Sequence, residues 1–300
     1  MELRQLKYFV KVAEMKNFSE AARLLNVTQS TLSQQIKQLE GELGVELFTR
    51  NSHHVDLTDI GKEFFPSALR TISEANTCIE RIRDVQNLNV GELNIGVTYT
   101  FSLLLSEAVL QFRKLYPNIK LNIYCQSVEE LMLMLDKEQI DVALSYRSSE
   151  LFPNIESQTI FENNLSVVMN ESHPLAKQKS ISLKTLEKWN LALPTKGMQA
   201  RNTFERLADV QKHNFSVMVE VNDINVLLNL IRQSLLVTLL SQATVGNQNG
   251  ITSVPLDISD CTMEGCYHIR KDSYMKRSTK EFLHILCQED SFGLAKMNLF

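Results

Sequence analysis

Long hydrophobic runs are missing from this chain. Its longest apolar stretches, such as residues 235–240 (LLVTLL), are broken by Thr or Ser and fall far short of the ~18 apolar residues of a membrane span. No bilayer crossing and no membrane partner are expected. The opening segment MELRQLKYFVKVAEMKNFSEAA alternates apolar and charged residues, without the continuous apolar core of a secretory signal; the expected location is the cytoplasm. An excess of one charge is also missing: 31 Lys+Arg against 35 Asp+Glu leaves −4, which excludes a bulk polyanion-binding tail. With 44% hydrophobic and 22% charged residues, the composition is that of an ordinary globular chain rather than a disordered one.

Cysteine is scarce and unpaired. Cys78, Cys125, Cys261, Cys266 and Cys287 make an odd number with no Cys-x-x-Cys, which points to free thiols rather than a disulfide frame. The six histidines are scattered, and the adjacent His53 and His54 lack the i, i+4 spacing that aims two ligands at one metal. No metal and no cofactor are therefore expected, and no motif sets a nucleophile beside a base as an enzyme would need. At roughly 150 residues per domain, the 300-residue length accommodates about two domains; internal repeats and low-complexity segments are absent.

What is present begins with helical periodicity. Leu3, Leu6, Phe9, Val10 and Ala13 recur at the spacing of an amphipathic helix that stops near Lys16-Asn17. Ser19 is placed to cap a second helix carrying Ala21, Ala22, Leu24 and Leu25, with Asn26-Val27 as a brief turn. Thr28 caps a third helix, predicted over 29–43 and ended by Gly44. On it Leu32, Ile36, Leu39 and Leu43 share a sector of roughly 60°, whereas Ser30, Ser33, Gln34 and Lys37 share roughly 100° on another side. One stripe packs and the other looks outward. The following VELFTRNSHHVDLT holds two short strand-like runs around Asn51 to His54, a hairpin or wing.

From 58 to 87 no Pro follows Pro66 and no Gly follows Gly61, so one helix of about 28 residues is predicted. Phe65, Ala68, Ile72, Ala75, Ile79 and Ile82 are spaced 3, 4, 3, 4, 3, a narrow coiled-coil seam that implies a partner helix. Beyond Gly91 strands are expected over 92–97, 119–124, 140–145, 165–169, 191–193, 217–221, 236–240 and 265–269. Helices are expected over 101–116, 128–137, 199–212, 223–233 and 278–288. That alternation implies a parallel sheet wound with helices.

The strings LKYFVKVAEMKNFSEAARLLNVTQSTLSQQIKQLEGELGVELFTR and LTDIG, in this order and spacing, resemble the LysR-type family of bacterial transcriptional regulators. The resemblance extends over the whole chain in architecture and is most specific over residues 1–65. It implies an α+β multidomain protein: a winged helix-turn-helix over 1–58, a dimerising linker helix and hinge over 59–90, and a two-lobed α/β effector domain over 91–300 like a periplasmic solute-binding protein. Lobe I would take about 91–161 and 266–290, and lobe II about 162–265. The implied partners are double-stranded operator DNA, a small-molecule effector and further copies of the chain, as a dimer or a tetramer. Two departures stand out: Gln34 replaces a frequent Arg, and His53-His54 occupy a wing where basic residues are frequent. In the effector domain, a stretch that usually contains Gly is here 233–241 (QSLLVTLLS).

On this reading the DNA-contacting residues are Gln29, Ser30, Thr31, Ser33, Gln34, Lys37, Arg50, His53 and His54, with base edges met by the first turns and a phosphate by Lys37. A solvated polar face, or an Arg50–Glu46 ion pair, is the alternative. Charge does not decide, because residues 1–60 carry seven Lys+Arg and eight acids. For the effector the candidates are Thr98, Tyr99, Thr100, Gln126, Ser127, Tyr146, Thr195, Gln199 and Arg201. Thr98 to Thr100 precede a helix, and Ser127-Val-Glu-Glu130 is a capping-box pattern; helix starts suit a small anion, although plain capping explains the same residues. Arg201 offers a charged partner. Cys261 and Cys266 leave a choice between small buried residues and a thiol redox switch. A solute-binding transport component would share the fold of the second half but not a helix-turn-helix.

Overall fold

The computed structural model describes residues 1–51, 54–85, 90–148, 150–207, 212–245, 248–258, 261–271 and 273–287, with residues 50, 51, 54, 80, 83 and 85 described by backbone alone. His53 lies outside the described residues, as do the side chains of Arg50 and His54. The chain forms two compact units, Met1–Leu88 and Asn89–Phe300.

In the first unit α1 (Leu3–Met15), α2 (Phe18–Leu24) and α3 (Gln29–Leu43) pack around Leu6, Phe9, Val10, Ala22, Leu32, Ile36 and Leu39. Each large apolar side chain removed from water contributes about 1.5–3 kcal/mol. The cap of α2 is Asn17 rather than Ser19: its carboxamide oxygen accepts from the backbone N–H of Ser19 and Glu20. Asn has the reach to serve both orphan donors from two residues before Ser19. Asn26 turns the chain between α2 and α3 at φ +55°, a left-handed conformation that Asn tolerates. Leu43 is 37% exposed, so the buried stripe of α3 ends at Leu39. Gly44 closes the helix at φ +71°.

A hairpin follows, β1 (Phe48–Asn51) against β2 (His54–Leu57). Glu40 accepts hydrogen bonds from the N–H of Leu47 and Phe48 at 2.9 and 3.2 Å, tying the wing to α3. The long helix is α4 (Asp59–Val85). Thr58 initiates it: its hydroxyl donates to the Glu46 carbonyl and accepts from Gly61 N–H. Phe64 and Phe65 enter the core against Phe9, with ring centroids 5.2 and 6.2 Å away. Along the expected seam Ala68 is buried and Ile72 packs on the same core, while Ile79 and Ile82 are 51% and 59% exposed.

The second unit is built on a seven-stranded sheet in the order β10-β6-β11-β5-β3-β4, with β9 also paired to β6. Its strands are β3 (Gly91–Val97), β4 (Ile119–Cys125), β5 (Val142–Tyr146), β6 (Ile155–Asn170), β9 (Thr238–Ser241), β10 (Ile251–Pro255) and β11 (Thr262–Arg270). β7 (Asn190–Pro194) and β8 (Ser216–Val221) form a parallel pair. The expected parallel sheet is corrected to a mixed one. β3 is parallel to β4 and β5, but β11 runs antiparallel to β5 and β6, and β6 runs antiparallel to β9 and β10. The β6 segment read as five residues is a 16-residue strand. Its first part pairs with β11 and its last part with β9 and β10, so one strand serves both halves of the unit. Its polar start 156–163 (ESQTIFEN) has no apolar run to mark it, and β10 went unread for the same reason.

The helices are α5 (Ser102–Leu115), α6 (Val128–Asp136), the short α7 (Leu183–Leu186), α8 (Gln199–Arg206), α9 (Ile224–Arg232) and α10 (Arg277–Cys287). α5 and α10 meet through Phe112 and Phe282, 5.7 Å apart. Within the sheet, His268 is fully buried between Ser145 and Ser157. The Ser145 hydroxyl donates to the Tyr146 carbonyl, so it accepts from His268 Nε2–H at 2.9 Å, and Nδ1 accepts from Ser157 at 2.7 Å. The imidazole is held neutral, and burial pulls its pKa from 6.5 down to about 4.

Two outcomes are expected. A Cβ on Gly61 would stand 2.2 Å from the Leu47 carbonyl oxygen, so Gly61→Ala should cost about 1–3 kcal/mol. Urea unfolding followed by circular dichroism should place the first unit's transition at lower urea and leave the second unit's in place. For His268, the imidazole is neutral in both states above pH 6.5, and its contribution is fully present there. As pH falls from 6.5 to about 4, the unfolded chain takes up a proton that the folded one refuses, and stability on the order of 3 kcal/mol is lost. His268→Gln should be less stable at pH 7 yet flatter over that window; equal pH slopes would contradict the assignment.

Candidate functional site

Two polar surfaces emerge, one in each unit. On α3 the Thr28 hydroxyl accepts from Thr31 N–H at 3.1 Å and shares hydrogen bonds with the hydroxyls of Ser30 and Thr31 at 2.9 and 2.8 Å. Filling the cap in this way rigidifies the first turn. Gln29, Ser30, Thr31, Gln34 and Lys37 are exposed and Ser33 is half-buried. Ser30, Ser33, Gln34 and Lys37 thus share the side away from Leu32, Ile36 and Leu39, which are fully buried; Gln29 and Thr31 are exposed on the first turn, off that stripe. Arg4, Lys11, Lys16 and Lys62 are ion-paired to Glu2, Glu14, Asp56 and Asp59. Lys37 has no ion pair among the described residues.

The second surface is a cavity of about 820 Å³, a size suited to a small organic molecule. Its position follows from the sheet. β3 lies between β4 and β5, and the chain leaves the carboxyl ends of β3 and β4 into Thr98–Thr100 and Gln126–Ser127, the switch point where open α/β sheets bind ligands. Thr98, Tyr99, Thr100, Gln126, Ser127, Tyr146, Thr195 and Gln199 all line it. Arg201 does not. Its guanidinium is buried on ion pairs with Glu205 at 2.6 Å and Glu220 at 3.1 Å, because its place in the first turn of α8 turns it under the helix rather than into the opening. Its expected role as the charged wall is corrected.

Ser127 needs a second correction. Its hydroxyl accepts from Glu130 N–H while the Glu130 carboxylate accepts from Ser127 N–H and hydroxyl, which holds that carboxylate below its usual range. This start of α6 is closed by its own capping box, the plainer of the two readings. Asp223 likewise caps α9 through the N–H of Asn225 and Val226. No side chain caps α5 or α8, and Lys196 is the one cationic side chain among the described lining residues.

Hydrogen bonds cross the cavity between segments distant in sequence. The Tyr99 hydroxyl donates to Asn225 Oδ1 at 3.0 Å, and Gln199 Nε2 donates to the Arg147 carbonyl at 3.0 Å. At the floor Tyr146 donates to Ser241 at 2.6 Å, Ser241 meets Thr244 at 3.1 Å, and Thr244 meets Thr100 at 3.2 Å. Burial pushes the Tyr146 phenol up, so it stays a donor. Ser241, Thr244, Asn225 and Lys196 were not read as site residues. Ser241 ends the 233–241 stretch already marked as unusual, but Asn225 and Thr244 carry no local signal.

Among the described residues no three His, Cys, Asp or Glu converge as metal ligands. Cys261 and Cys266 are both free and buried. Five residues of extended chain separate them by roughly 16 Å, far beyond the ~7 Å Cα limit of a disulfide. Burial raises the Cys266 thiol, the opposite of an activated thiolate.

Comparison with known proteins matches a family model to each part of the chain. Residues 3–62 match the model for bacterial regulatory helix-turn-helix proteins of the lysR family, and residues 86–290 match the LysR substrate binding domain. The transcriptional dual regulator GltC of Bacillus subtilis (strain 168) is 34% identical over 248 residues, covering 81% of this chain and 82% of that protein. The HTH-type transcriptional regulator BudR of Raoultella terrigena is 32% identical over 188 residues, covering 62% of this chain and 65% of BudR, just under two thirds of its length. The crystal structure of full-length CbnR complexed with its target DNA has the same fold, at a TM-score of 0.64 and 24% identity over 95% of this chain and 99% of that one. With residues 3–62 matching the helix-turn-helix and residues 86–290 the LysR substrate binding domain, the chain belongs to the LysR family.

Proposed function

We propose that this regulator binds a twofold operator as a dimer, or a pair of dimers, in the cytoplasm, and that a small effector bearing an acidic group occupies the cavity and biases the DNA-bound arrangement. The observation that carries this is the outward polar stripe of α3, Ser30, Ser33, Gln34 and Lys37, opposite a fully buried apolar one. A helix so divided leaves its polar side chains free to enter a groove. Two such helices in a twofold dimer would meet half-sites about one turn of DNA, or a multiple, apart.

Dimerisation is assigned to the end of α4, where Ile79 and Ile82 leave half or more of their surface exposed in the single chain. A charge buried there without a partner costs several kcal/mol. Ile79→Glu should therefore yield monomers by sedimentation velocity and abolish a mobility shift with DNA from just upstream of the coding region. A variant that sediments like the parent and still shifts DNA would rule this face out.

For the acidic group, the uncapped first turn of α8 and the Lys196 ammonium are the partners. Arg201, committed to two carboxylates, acts through the fold. In a thermal-shift screen of small organic acids, a binder at 100 times its Kd should add about 2.7 kcal/mol. Thr100→Val should reduce that gain while leaving operator binding near the parent's. An unchanged shift in the variant would place the effector elsewhere.

A further inference from the structure

We propose that Gln34 reads an adenine in the major groove of each half-site, so that A·T pairs specify the operator where an arginine on the same helix would select guanine. This rests on the reading of α3 as the DNA-contacting helix. Gln34 is exposed in the middle of the outward stripe, between Ser30 and Lys37, and has no hydrogen-bond partner among the described residues. The adjacent Gln35 is half-buried and its amide points to Gln38 at 3.5 Å, so Gln34 is the free amide at mid-stripe. No guanidinium stands beside it: the stripe offers hydroxyls, this amide and one ammonium.

The match is one of donor and acceptor order. A carboxamide places an N–H donor beside a C=O acceptor. Adenine presents N7 as acceptor beside its N6 amino donor, and the two pairs meet bidentately. Guanine presents two acceptors, N7 and O6, and leaves the glutamine carbonyl facing an acceptor. The capped first turn holds the helix that aims the amide. With seven Lys+Arg against eight acids in residues 1–60, base contacts bear a larger share of binding than in a strongly basic head.

The test is selection of duplexes from a randomised library by the full chain, followed by affinities for the enriched sequence. Adenine is expected at one fixed position of each half-site. Gln34→Arg should move that position to guanine. Gln34→Ala should level the preference there, a loss on the order of tenfold, while preferences elsewhere persist, and Lys37→Ala should weaken all sequences alike. A second measurement substitutes 7-deazaadenine, which lacks the N7 acceptor, at the selected position. It should weaken binding by the native chain about tenfold and leave Gln34→Ala unaffected. The proposal is overturned if Gln34→Ala selects the same base, if Gln34→Arg leaves adenine in place, or if the N7 deletion weakens both proteins equally. Each of those outcomes leaves α3 as a DNA-reading helix. A native chain that enriches no sequence would instead remove the DNA-reading role of α3, and this assignment with it.

Discussion

The ring of Phe9 is the contact on which the first unit turns. It lies 5.3 Å from Phe48 and 5.2 Å from Phe64 by ring centroid, so α1, the start of the wing and the first turns of α4 meet at one side chain. Each aromatic pair is worth about 0.5–1.5 kcal/mol beyond the area it buries. The geometric consequence matters more than the energy. With α1 seated there, Leu32, Ile36 and Leu39 of α3 have one place to bury, and the polar stripe has one direction left to face. The Thr28 cap and the Glu40 contacts to the wing then hold α3 at both ends.

The second unit depends on a different constraint, the long β6. Because one strand pairs with β11 early and with β9 and β10 late, two half-sheets share a continuous backbone and the cavity opens where they meet. Its lining is rich in hydroxyls and amides, and several bond to one another across the opening, from Tyr99 to Asn225 and from Tyr146 through Ser241 and Thr244 to Thr100. A ligand entering such a site exchanges partners with groups that are already satisfied, which favours discrimination over raw affinity. The carboxylates of Glu130 and Asp223 face this region but serve their own helix ends, a use of charge that composition cannot distinguish from ligand binding.

The helical head was legible almost residue by residue. Thr28, Gly44 and the 3-and-4 spacing of Leu32, Ile36 and Leu39 bounded α3 correctly, because caps and periodicity are local properties written at fixed offsets. The error at α2, Ser19 for Asn17, arose because both residues are good caps and only the observed backbone says which side chain reaches two N–H groups. In the second unit most expected strand centres agree with the structure, yet the sheet expected to be parallel is mixed. A buried antiparallel strand and a buried parallel one present the same apolar run, and nothing in the run around Val167 and Val168 states which neighbour lies beside it or in which direction.

Eight of the nine effector candidates line the cavity, and the exception is instructive. Thr98, Thr100 and Gln126 follow the ends of strands, a position that sequence order alone conveys. Arg201 sits just as close in sequence to Thr195 and Gln199, but a helix places successive residues about 100° apart, and the turn that exposes Gln199 carries Arg201 to Glu205 and Glu220. Sequence by itself thus determined the elements with a strict period, the amphipathic helices and their caps, and through them the family. The tertiary structure alone decided strand direction, the pairing of Tyr99 with Asn225 and the burial of Arg201, since each depends on contacts between residues whose separation along the chain, or whose angle around a helix, no local pattern records.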